Sequence, residues 1–571
     1  MSTAPRALQA CRPCKQQKRK CDKSQPICGL CERSGRSCDY SSSVPVVAPT
    51  TADLEALQSR LDELESRLNN SHGTPPAFAR TATQSVNSSN DDASQCLYQS
   101  ENTSSLHTPP SAVYSRDEGA SRAHAALFLD IDCYKWSGFS IKGISGEIPV
   151  DVLALLTQGD AIMDVYAAYF DTVHTWFPVV SKKRIDLGIP MRHGGPELAV
   201  LFLAMKLLVT LPKDVTNSPV YVAVKQFLSL LEARGCCSFT CLQAMMLVAL
   251  YEYSHAIYPG AWMTVGACSR YADIIGVTGA GSTLDIVHSV TTWSEAEERR
   301  RIWWGMYILD RAISIGSRRR FSMPEPSENS TLPSDDSGWD RGDAMRAVNL
   351  SVTTDPSVRQ SPFARLCQSA MLLSRAMQCI SLTGPPESQQ NEVFSVLSDQ
   401  LMNFLSVVDS EVSSTVTDPD NSLLLLGPRC LTGSALFLIL DIFSCPEKMS
   451  QIPGYISTPG AKSNEELQRQ VWASSLLKRV TEAFAKFGTG WIDTLNSSED
   501  APQLGQFPSL ALDAFYSTMA TLLWYRREGM EDWNEASLAH TRRILQVVGA
   551  RWKAASHYVQ IAERSYNTIC P

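Results

Sequence analysis

Apolar side chains recur at helical spacing through most of this chain. From about residue 125 onward, apolar positions three and four residues apart form long segments, and strictly alternating apolar and polar runs are scarce. Such periodicity is typical of helices and not of strands. It predicts helices over 160–173, 196–211, 218–234, 240–256, 260–276, 294–316, 363–381, 389–408, 430–443, 465–487, 508–526 and 534–553. We therefore expect an all-α fold, with one large helical domain over 125–571.

A shorter repeat over residues 53–69 precedes this domain. Its apolar positions alternate in steps of three and four, as Leu54, Leu57, Leu61, Leu64 and Leu68. This is the heptad pattern of a coiled coil, and with Leu54 at position a, Arg60 and Glu65 would attract each other across a parallel dimer. The seam covers only about two heptads, fewer than a firm assignment needs. It predicts a dimerisation helix; the alternative is a short amphipathic helix packed on its own chain.

Three segments lack such periodicity. Residues 1–10 are expected to form a flexible N-terminus, and 39–52 a linker rich in Ser, Pro and Val. In 70–124, Ser, Thr, Asn, Asp and Pro dominate and large apolar residues are sparse, which predicts a disordered linker.

The most apolar run, Leu423–Phe443, is interrupted by Gly427-Pro428-Arg429 and contains Asp441. The uninterrupted part is shorter than a membrane span of roughly 20 residues, so we expect a buried helix and no membrane partner.

Charge is distributed unevenly along the 571 residues. The formal net charge is -8, but residues 1–40 hold nine Lys and Arg against three Asp and Glu, a balance of +6. The remainder therefore carries 42 basic and 56 acidic residues, or -14. A basic head on an acidic body indicates a polyanionic partner at the head only.

The basic head also contains a dense cysteine motif. Six of the 17 cysteines of the chain form the pattern C-x2-C-x6-C-x6-C-x2-C-x6-C: Cys11, Cys14, Cys21, Cys28, Cys31 and Cys38. A disulfide framework and a metal centre could each explain this density. The N-terminal MSTAPRALQA has no apolar core of a secretory signal, which favours a reduced protein and metal. Six thiolates complete two tetrahedral zinc sites if two sulfurs are shared.

This segment resembles the fungal zinc binuclear cluster (Zn2Cys6) transcription factors, and the match runs from Cys11 to Cys38 without a gap. The resemblance implies two Zn²⁺ ions per chain, bridged by Cys11 and Cys28. It also implies that Lys18 reads the bases of a CGG triplet, aided by the main chain near Gln17. The family's first helix carries basic residues, and our candidates for phosphate contacts are Lys15, Arg19, Lys20 and Lys23. The two glutamines after Lys15 depart from the more basic family pattern.

The large domain is similar to the middle homology domain of the same family over roughly 165–325. The resemblance rests on Val165-Tyr166, Trp176-Phe177-Pro178, Gly260-Ala261-Trp262 and above all Glu298–Trp304 with Leu309-Asp310-Arg311. It implies a regulatory module, which could respond to a small-molecule effector bound between helices.

Charged motifs of this domain have structural interpretations. Arg299–Arg301 point in different directions around a helix, which argues against one nucleic-acid stripe. The same helix should pack Trp303 and Trp304 inside. Asp310 and Arg311 are predicted to form an internal ion pair or a cap, and Arg318–Arg320 an exposed loop cluster.

Two further motifs imitate chemical sites. Gly276–Gly281 resembles a phosphate loop only in composition, because it follows a helix and lacks the lysine. We interpret it as a helix C-cap and turn. Cys236, Cys237 and Cys241 suggest a metal site, but no partnering ligands lie nearby in the sequence, so buried core cysteines are the better interpretation.

Together these features predict a nuclear, sequence-specific transcription factor, not an enzyme. The expected partners are double-stranded DNA, a second copy of the chain, the transcription machinery and a small-molecule effector. The regulated gene set would be a specialised-metabolite cluster or a nutrient pathway. The alternatives are a zinc-cluster scaffold that binds protein, or an enzyme fused to a zinc cluster. The basic stretch 15–23 and the heptads argue against the scaffold, and we find no catalytic constellation in the sequence of 125–571 to support the enzyme.

Overall fold

The computed structural model divides the chain into two units, Met1–His107 and Thr108–Pro571, each of which is described by itself. The predicted dimerisation helix at 53–69, the linker at 70–124 and Lys18 lie outside the described residues. The residues that the structure describes are 10–17, 19–39, 125–137, 147–157, 161–188, 195–211, 214–278, 290, 292–381, 387–414, 423–445, 464–497, 502–530 and 534–569.

The described part of the N-terminal unit, 10–17 and 19–39, forms two five-residue helices, α1 (Arg12–Gln16) and α2 (Gly29–Arg33). After a helical segment at 125–129, the described residues of the C-terminal unit form α3 (Ile131–Ser137), α4 (Val150–Leu156), α5 (Ala161–Asp171), α6 (Val173–Trp176), α7 (Lys182–Asp186), α8 (Pro196–Val209), α9 (Pro219–Ala233), α10 (Phe239–Ser254), α11 (Gly260–Ile275), α12 (Trp293–Ser317) and α13 (Asp336–Arg341). They are followed by α14 (Pro362–Ser381), α15 (Glu387–Ser414), α16 (Leu426–Ser444), α17 (Asn464–Ser497), α18 (Pro502–Gln506), α19 (Leu512–Arg527), α20 (Glu535–Val548) and α21 (Lys553–Ile569). Two short 3-10 helices cover Ala344–Arg346 and Ser509–Ala511.

The all-α prediction is confirmed, since no described residue belongs to a strand and one isolated bridge joins Thr331 to Ser351. Each of the twelve segments predicted between residues 160 and 553 overlaps an observed helix. The errors lie at ends and breaks. The predicted run 534–553 is interrupted after Val548, and α21 is missing from the prediction. Helix α17 continues to Ser497, ten residues past the predicted end at 487. The prediction ended too early because Gly488 and Gly490 resemble a helix stop signal in the sequence.

Three helices are buried on almost every side and form the centre of the C-terminal unit. Helices α8, α10 and α16 have apolar residues all round, which is the pattern of a fully buried helix. Helix α8 packs against α10, whereas α16 packs against α14 and α17. One continuous cluster of buried side chains extends from Val152 to Ala562, and Tyr134 on α3 forms a small separate cluster.

Helix α16 corrects one prediction. Gly427, Pro428 and Arg429 do not interrupt it, because they lie in its first turn, where a proline needs no hydrogen-bond donor. By length and apolar composition this helix could cross a membrane, but 89% of its apolar window is buried inside the protein. The prediction of a buried helix at this position is thus confirmed, and its predicted start at 430 is wrong.

Gly433 of α16 lies against the ring of Phe484 on α17. A Cβ atom added at Gly433 would overlap Cζ of Phe484 and lie 2.8 Å from its Cε2. Phe484 is fully buried and packs against Phe437, so its ring has little room to move. We expect Gly433→Ala to lower the free energy of unfolding by about 1–3 kcal/mol through overpacking, as measured by urea denaturation. Gly316→Ala is the control, because nothing lies within 4 Å of its added Cβ; an equal loss in both variants would contradict the steric explanation.

Buried charges on α12 hold the segments around it. The Arg301 side chain is fully buried and pairs with Glu297 at 3.1 Å and with Asp336 at 2.8 Å. Its Nη2 donates to the carbonyl of Ser334 at 2.8 Å, and its guanidinium lies 4.2 Å from the centre of the Trp339 ring. Burial acts to raise the pKa of Glu297, but the guanidinium of Arg301 lowers it below its ordinary value. The charges are thus paired inside the core.

Other charged residues of α12 are also paired within the structure. Glu298 accepts from the backbone N–H of Ser181 at 2.8 Å and from the guanidinium of Arg184 at 2.8 Å. Arg311 pairs with Asp310 at 2.7 Å, and both are buried, which confirms the predicted internal ion pair. Trp303 and Trp304 are buried as predicted, whereas Arg318–Arg320 are exposed in a loop.

Candidate metal centre and nucleic-acid interface

The two helices of the N-terminal unit are built by the same 17-residue plan. Cys11 precedes α1 and Cys28 precedes α2. The carbonyl of each cysteine accepts a hydrogen bond from the backbone N–H of the residue four positions later, at 3.0 Å in both cases. The next hydrogen bond also repeats: Arg19 N–H donates to the Cys14 carbonyl and Arg36 N–H to the Cys31 carbonyl, each at 3.0 Å. The cysteine spacing repeats because the backbone repeats.

The six thiols converge into one cluster of two overlapping tetrads. One tetrad contains Cys11, Cys14, Cys21 and Cys28, and the other contains Cys11, Cys28, Cys31 and Cys38. In each tetrad the sulfur atoms lie within 4.8 Å of one another. Cys11 and Cys28 belong to both tetrads, and their Sγ atoms are 3.6 Å apart. None of these six cysteines forms a disulfide bond, so the disulfide alternative does not describe this cluster.

The spacing of the sulfurs suits zinc. Four sulfurs about 2.3 Å from one tetrahedral zinc lie about 3.8 Å from each other. Within the tetrads, the Sγ separations are 3.7 Å for Cys11–Cys31, 3.7 Å for Cys14–Cys28 and 3.9 Å for Cys21–Cys11. Cys14 and Cys31, which belong to different tetrads, also lie 3.9 Å apart, so the outer thiols sit side by side. Two four-sulfur sites with two shared sulfurs therefore fit this arrangement.

Cys28 is the most acidic thiol among the buried cysteines of the cluster. Burial acts to raise its pKa, but the backbone N–H of Cys31 and the surrounding thiols donate to its sulfur and lower the pKa to about 6. Burial raises the pKa of Cys11, the other shared cysteine. Zinc binds thiolates, so loading the cluster must release protons from the thiols that are protonated at neutral pH.

Acidic residues after the third and sixth cysteines tie the two halves together. Asp22 accepts the first helical N–H of α2, from Gly29, at 2.9 Å, and the Asp39 carbonyl accepts the first helical N–H of α1, from Arg12, at 2.8 Å. The peptide bond before Pro26 is cis and lies in the loop between the halves, where the sequence places the turn. Sequence reasoning missed the role of the Asp22 carboxylate, and the repeat of Cys-Asp at 21–22 and 38–39 does not indicate it, because Asp39 accepts through its backbone carbonyl.

Basic side chains surround α1. The predicted phosphate-contact residues Lys15, Arg19 and Lys20 are exposed, and Lys23 is half-buried. The Gln17 side-chain oxygen accepts from the guanidinium of Arg36, which connects the two halves on the surface. This contact was not predicted. In the 17-residue repeat Arg36 occupies the position equivalent to Arg19, and the repeat does not indicate Gln17 as the partner of Arg36.

The glycine-rich motif and the cysteine motif of the C-terminal unit, which resemble ligand sites in sequence, have structural roles. Gly276 ends α11 in the left-handed conformation with φ of 75°, which confirms the predicted C-cap. Cys236 and Cys241 are buried, as expected of core cysteines. They also lie 3.6 Å apart, with the Glu197 carboxylate 3.3 Å from the Cys236 sulfur, a polar neighbour that the local sequence does not indicate. The partner comes from α8, about forty residues away in sequence, where spacing alone gives no signal.

Comparison with known proteins places both units in one class. Residues 9–45 match the fungal Zn(2)-Cys(6) binuclear cluster domain, and residues 167–406 match the fungal specific transcription factor domain. The second match ends at 406, well beyond the limit near 325 suggested by sequence motifs.

Three relatives illustrate the similarity. Transcription factor BOA15 of Botryotinia fuckeliana is 32% identical over 180 residues, covering 31% of this chain and 98% of that protein. The citrinin biosynthesis transcriptional activator mrl3 of Monascus ruber is 25% identical over 384 residues, covering 65% of this chain and 72% of the relative. Transcription factor tazR of Aspergillus terreus is 21% identical over 487 residues, covering 72% and 77%.

The chain therefore belongs to the fungal Zn2Cys6 transcription factors that carry a fungal specific transcription factor domain. The cluster domain of this family binds two zinc ions, and its zinc-cluster proteins bind DNA. Members of the family are transcription factors and not, in general, enzymes, and transcription factors act in the nucleus.

Proposed function

We propose that this protein binds CGG-type DNA half-sites as a homodimer in the nucleus and regulates a set of genes. The observation that carries the proposal is the juxtaposition of two sulfur tetrads with exposed basic side chains on α1 and directly after it. The cysteines of the first tetrad would hold one zinc and those of the second the other, with Cys11 and Cys28 bridging. Zinc would have a structural role here. Its binding to the cysteines would hold α1 and α2 together in a unit that is too small for a hydrophobic core.

Base reading and phosphate binding would be divided between different residues of the head. Lys18 would donate to the N7 and O6 acceptors of guanine, and main-chain carbonyls near Gln17 would accept from cytosine N4. Lys15, Arg19, Lys20 and Lys23 would contact phosphates and set affinity without selecting sequence. The exposure of Lys15, Arg19 and Lys20 supports this assignment.

Dimerisation would double the three base pairs that one head can read. The heptad leucines Leu54–Leu68 would form the parallel seam, and a linker of about 15 residues could reach roughly 50 Å when extended. Such a linker permits several spacings between half-sites.

Two relatives supply the proposed class of target genes. One is named a citrinin biosynthesis activator and another a pigment biosynthesis activator, from Monascus ruber in both cases. We infer that this protein regulates a specialised-metabolite cluster or a nutrient pathway by recruiting the transcription machinery. Its helical domain would adjust that activity through a small-molecule effector.

The test compares two lysines of the same helix region in the full chain. We expect Lys18→Ala to lose about 1–3 kcal/mol of discrimination between a CGG duplex and one with the guanines replaced. Lys20→Ala should weaken both duplexes alike and reduce the slope of log affinity against log salt by about 1. Fluorescence anisotropy at several salt concentrations measures both quantities. Equal weakening of the two duplexes by Lys18→Ala would show that Lys18 does not read bases.

A further inference from the structure

A cavity of about 480 Å³ lies between helices of the C-terminal unit. The end of α12 forms one wall, and α16, α19 and α21 form the others. Helix α12 lies inside the family-matched region 167–406, whereas the other three helices follow it. A molecule bound here would therefore contact both parts of the domain. The volume is within the range of about 300–1,000 Å³ that is typical of small-molecule sites.

A buried carboxyl group lines this cavity. Asp513 is 6% exposed, and its Oδ2 makes no hydrogen bond. The hydroxyls of Ser434 and Tyr558 lie beside this carboxyl, but both are neutral, and no Lys or Arg of the described residues pairs with it. Burial raises its pKa. A buried carboxylate without a positive partner is costly, so the site favours a ligand that brings a donor and a positive charge.

Aromatic side chains surround the carboxyl. Tyr516, Trp524 and Tyr566 line the cavity and are each half-buried. The guanidinium of Arg526 lies 5.7 Å from the Tyr566 ring centre, and one face of Tyr516 stacks on Tyr558 with the ring centres 4.6 Å apart. The aromatic surfaces for a ligand are therefore Trp524 and the other face of Tyr516. Aromatic faces attract cations and stack on flat rings. Arg527, at the rim, is engaged by Glu528 at 2.6 Å, so its positive charge is compensated there.

We propose that this cavity binds a small aromatic amine, with the ammonium group on Asp513 and the ring against Tyr516 and Trp524. The carboxylate supplies the charge partner and the hydrogen-bond acceptor, and the rings supply the apolar contact. Binding links α12 to α16, α19 and α21. This gives the proposed effector a site and a head group, and it rests on the proposed function only for its regulatory consequence.

The test uses three probes with the same ring on the full, zinc-loaded chain. Tryptamine carries the amine, 3-methylindole lacks it, and indole-3-propionate replaces it with an anion. Isothermal titration calorimetry should show saturable binding of tryptamine and at least tenfold weaker binding of the other two. No saturable heat with millimolar tryptamine, or equal affinity for 3-methylindole, overturns the proposal.

Variants locate the binding. Asp513→Asn keeps the shape of the side chain and should weaken tryptamine at least tenfold, whereas Asp399→Asn, an exposed carboxylate on α15, should not change it. If the melting temperature shows that Asp513→Asn does not fold, Trp524→Leu replaces it and should also weaken tryptamine. Unchanged affinity in a folded variant overturns the site. CGG binding measured on the same samples separates the two proposals, because loss of tryptamine binding alone removes only this site.

Discussion

Removal of zinc by a chelator at neutral pH is expected to unfold residues 11–38 and abolish CGG binding while the helical domain stays folded. The buried apolar groups of the head are the cysteines themselves, with Leu30 partly buried and Ile27 47% exposed. Nothing else in the described head could replace the metal as an interior. Structural zinc in small domains contributes on the order of 10–16 kcal/mol of apparent binding free energy at neutral pH, which exceeds what so few side chains could supply.

Cys28 offers the sharpest variant of this experiment, because it belongs to both tetrads. We expect Cys28→Ser to lose zinc from both sites, measured as zinc per chain by mass spectrometry of the purified protein. Cys133→Ser is the matched control, since Cys133 is an exposed free thiol outside the cluster, and it should retain two zinc ions. A Cys28→Ser protein that kept two zinc ions would show that the sulfur is not shared.

Replacement of Arg301 by Met is expected to lower the free energy of unfolding of the helical domain by about 3–5 kcal/mol. The guanidinium is fully buried between two carboxylates, and its removal leaves Glu297 buried without that charge partner. It also removes the donor to Ser334 and the cation from the face of Trp339. The loss is measured by urea denaturation followed by tryptophan fluorescence.

Arg359→Met provides the control for this experiment. Arg359 is exposed in the segment before α14, and its replacement should change the free energy by less than about 0.5 kcal/mol. A loss below about 1 kcal/mol in Arg301→Met would contradict the view that the buried pairs fix α12 against the segment 331–351.

Much of the fold could be predicted because helix position depends on local periodicity. The spacing of apolar residues placed α8, α9 and α12 almost to the residue. Local signals failed where two signals conflict. Pro428 suggests a break, but at the start of α16 it costs no hydrogen bond, and the glycines after residue 487 do not end α17.

The cysteine cluster could be predicted from the sequence, whereas the contacts between residues distant in sequence could not. The cysteine spacing indicated two metal sites, and the structure groups the same six thiols into overlapping tetrads. Contacts between distant residues had no such signal. The partners of Arg301 include Asp336, 35 positions away, and the Gln17–Arg36 contact crosses the two halves of the head. Periodicity identifies which face of a helix is buried, but not which distant charge meets it there.

One measurement tests the central claim most directly: competition between a duplex with two CGG half-sites and the same duplex with every guanine of those sites replaced. The full chain loaded with zinc should prefer the first by at least about 100-fold at physiological salt, since each mismatched base pair costs about 1–3 kcal/mol. Chelation should remove the preference, and added zinc should restore it. Equal affinity for the two duplexes, or a preference that survives chelation, would contradict a zinc-dependent reader of CGG sequences.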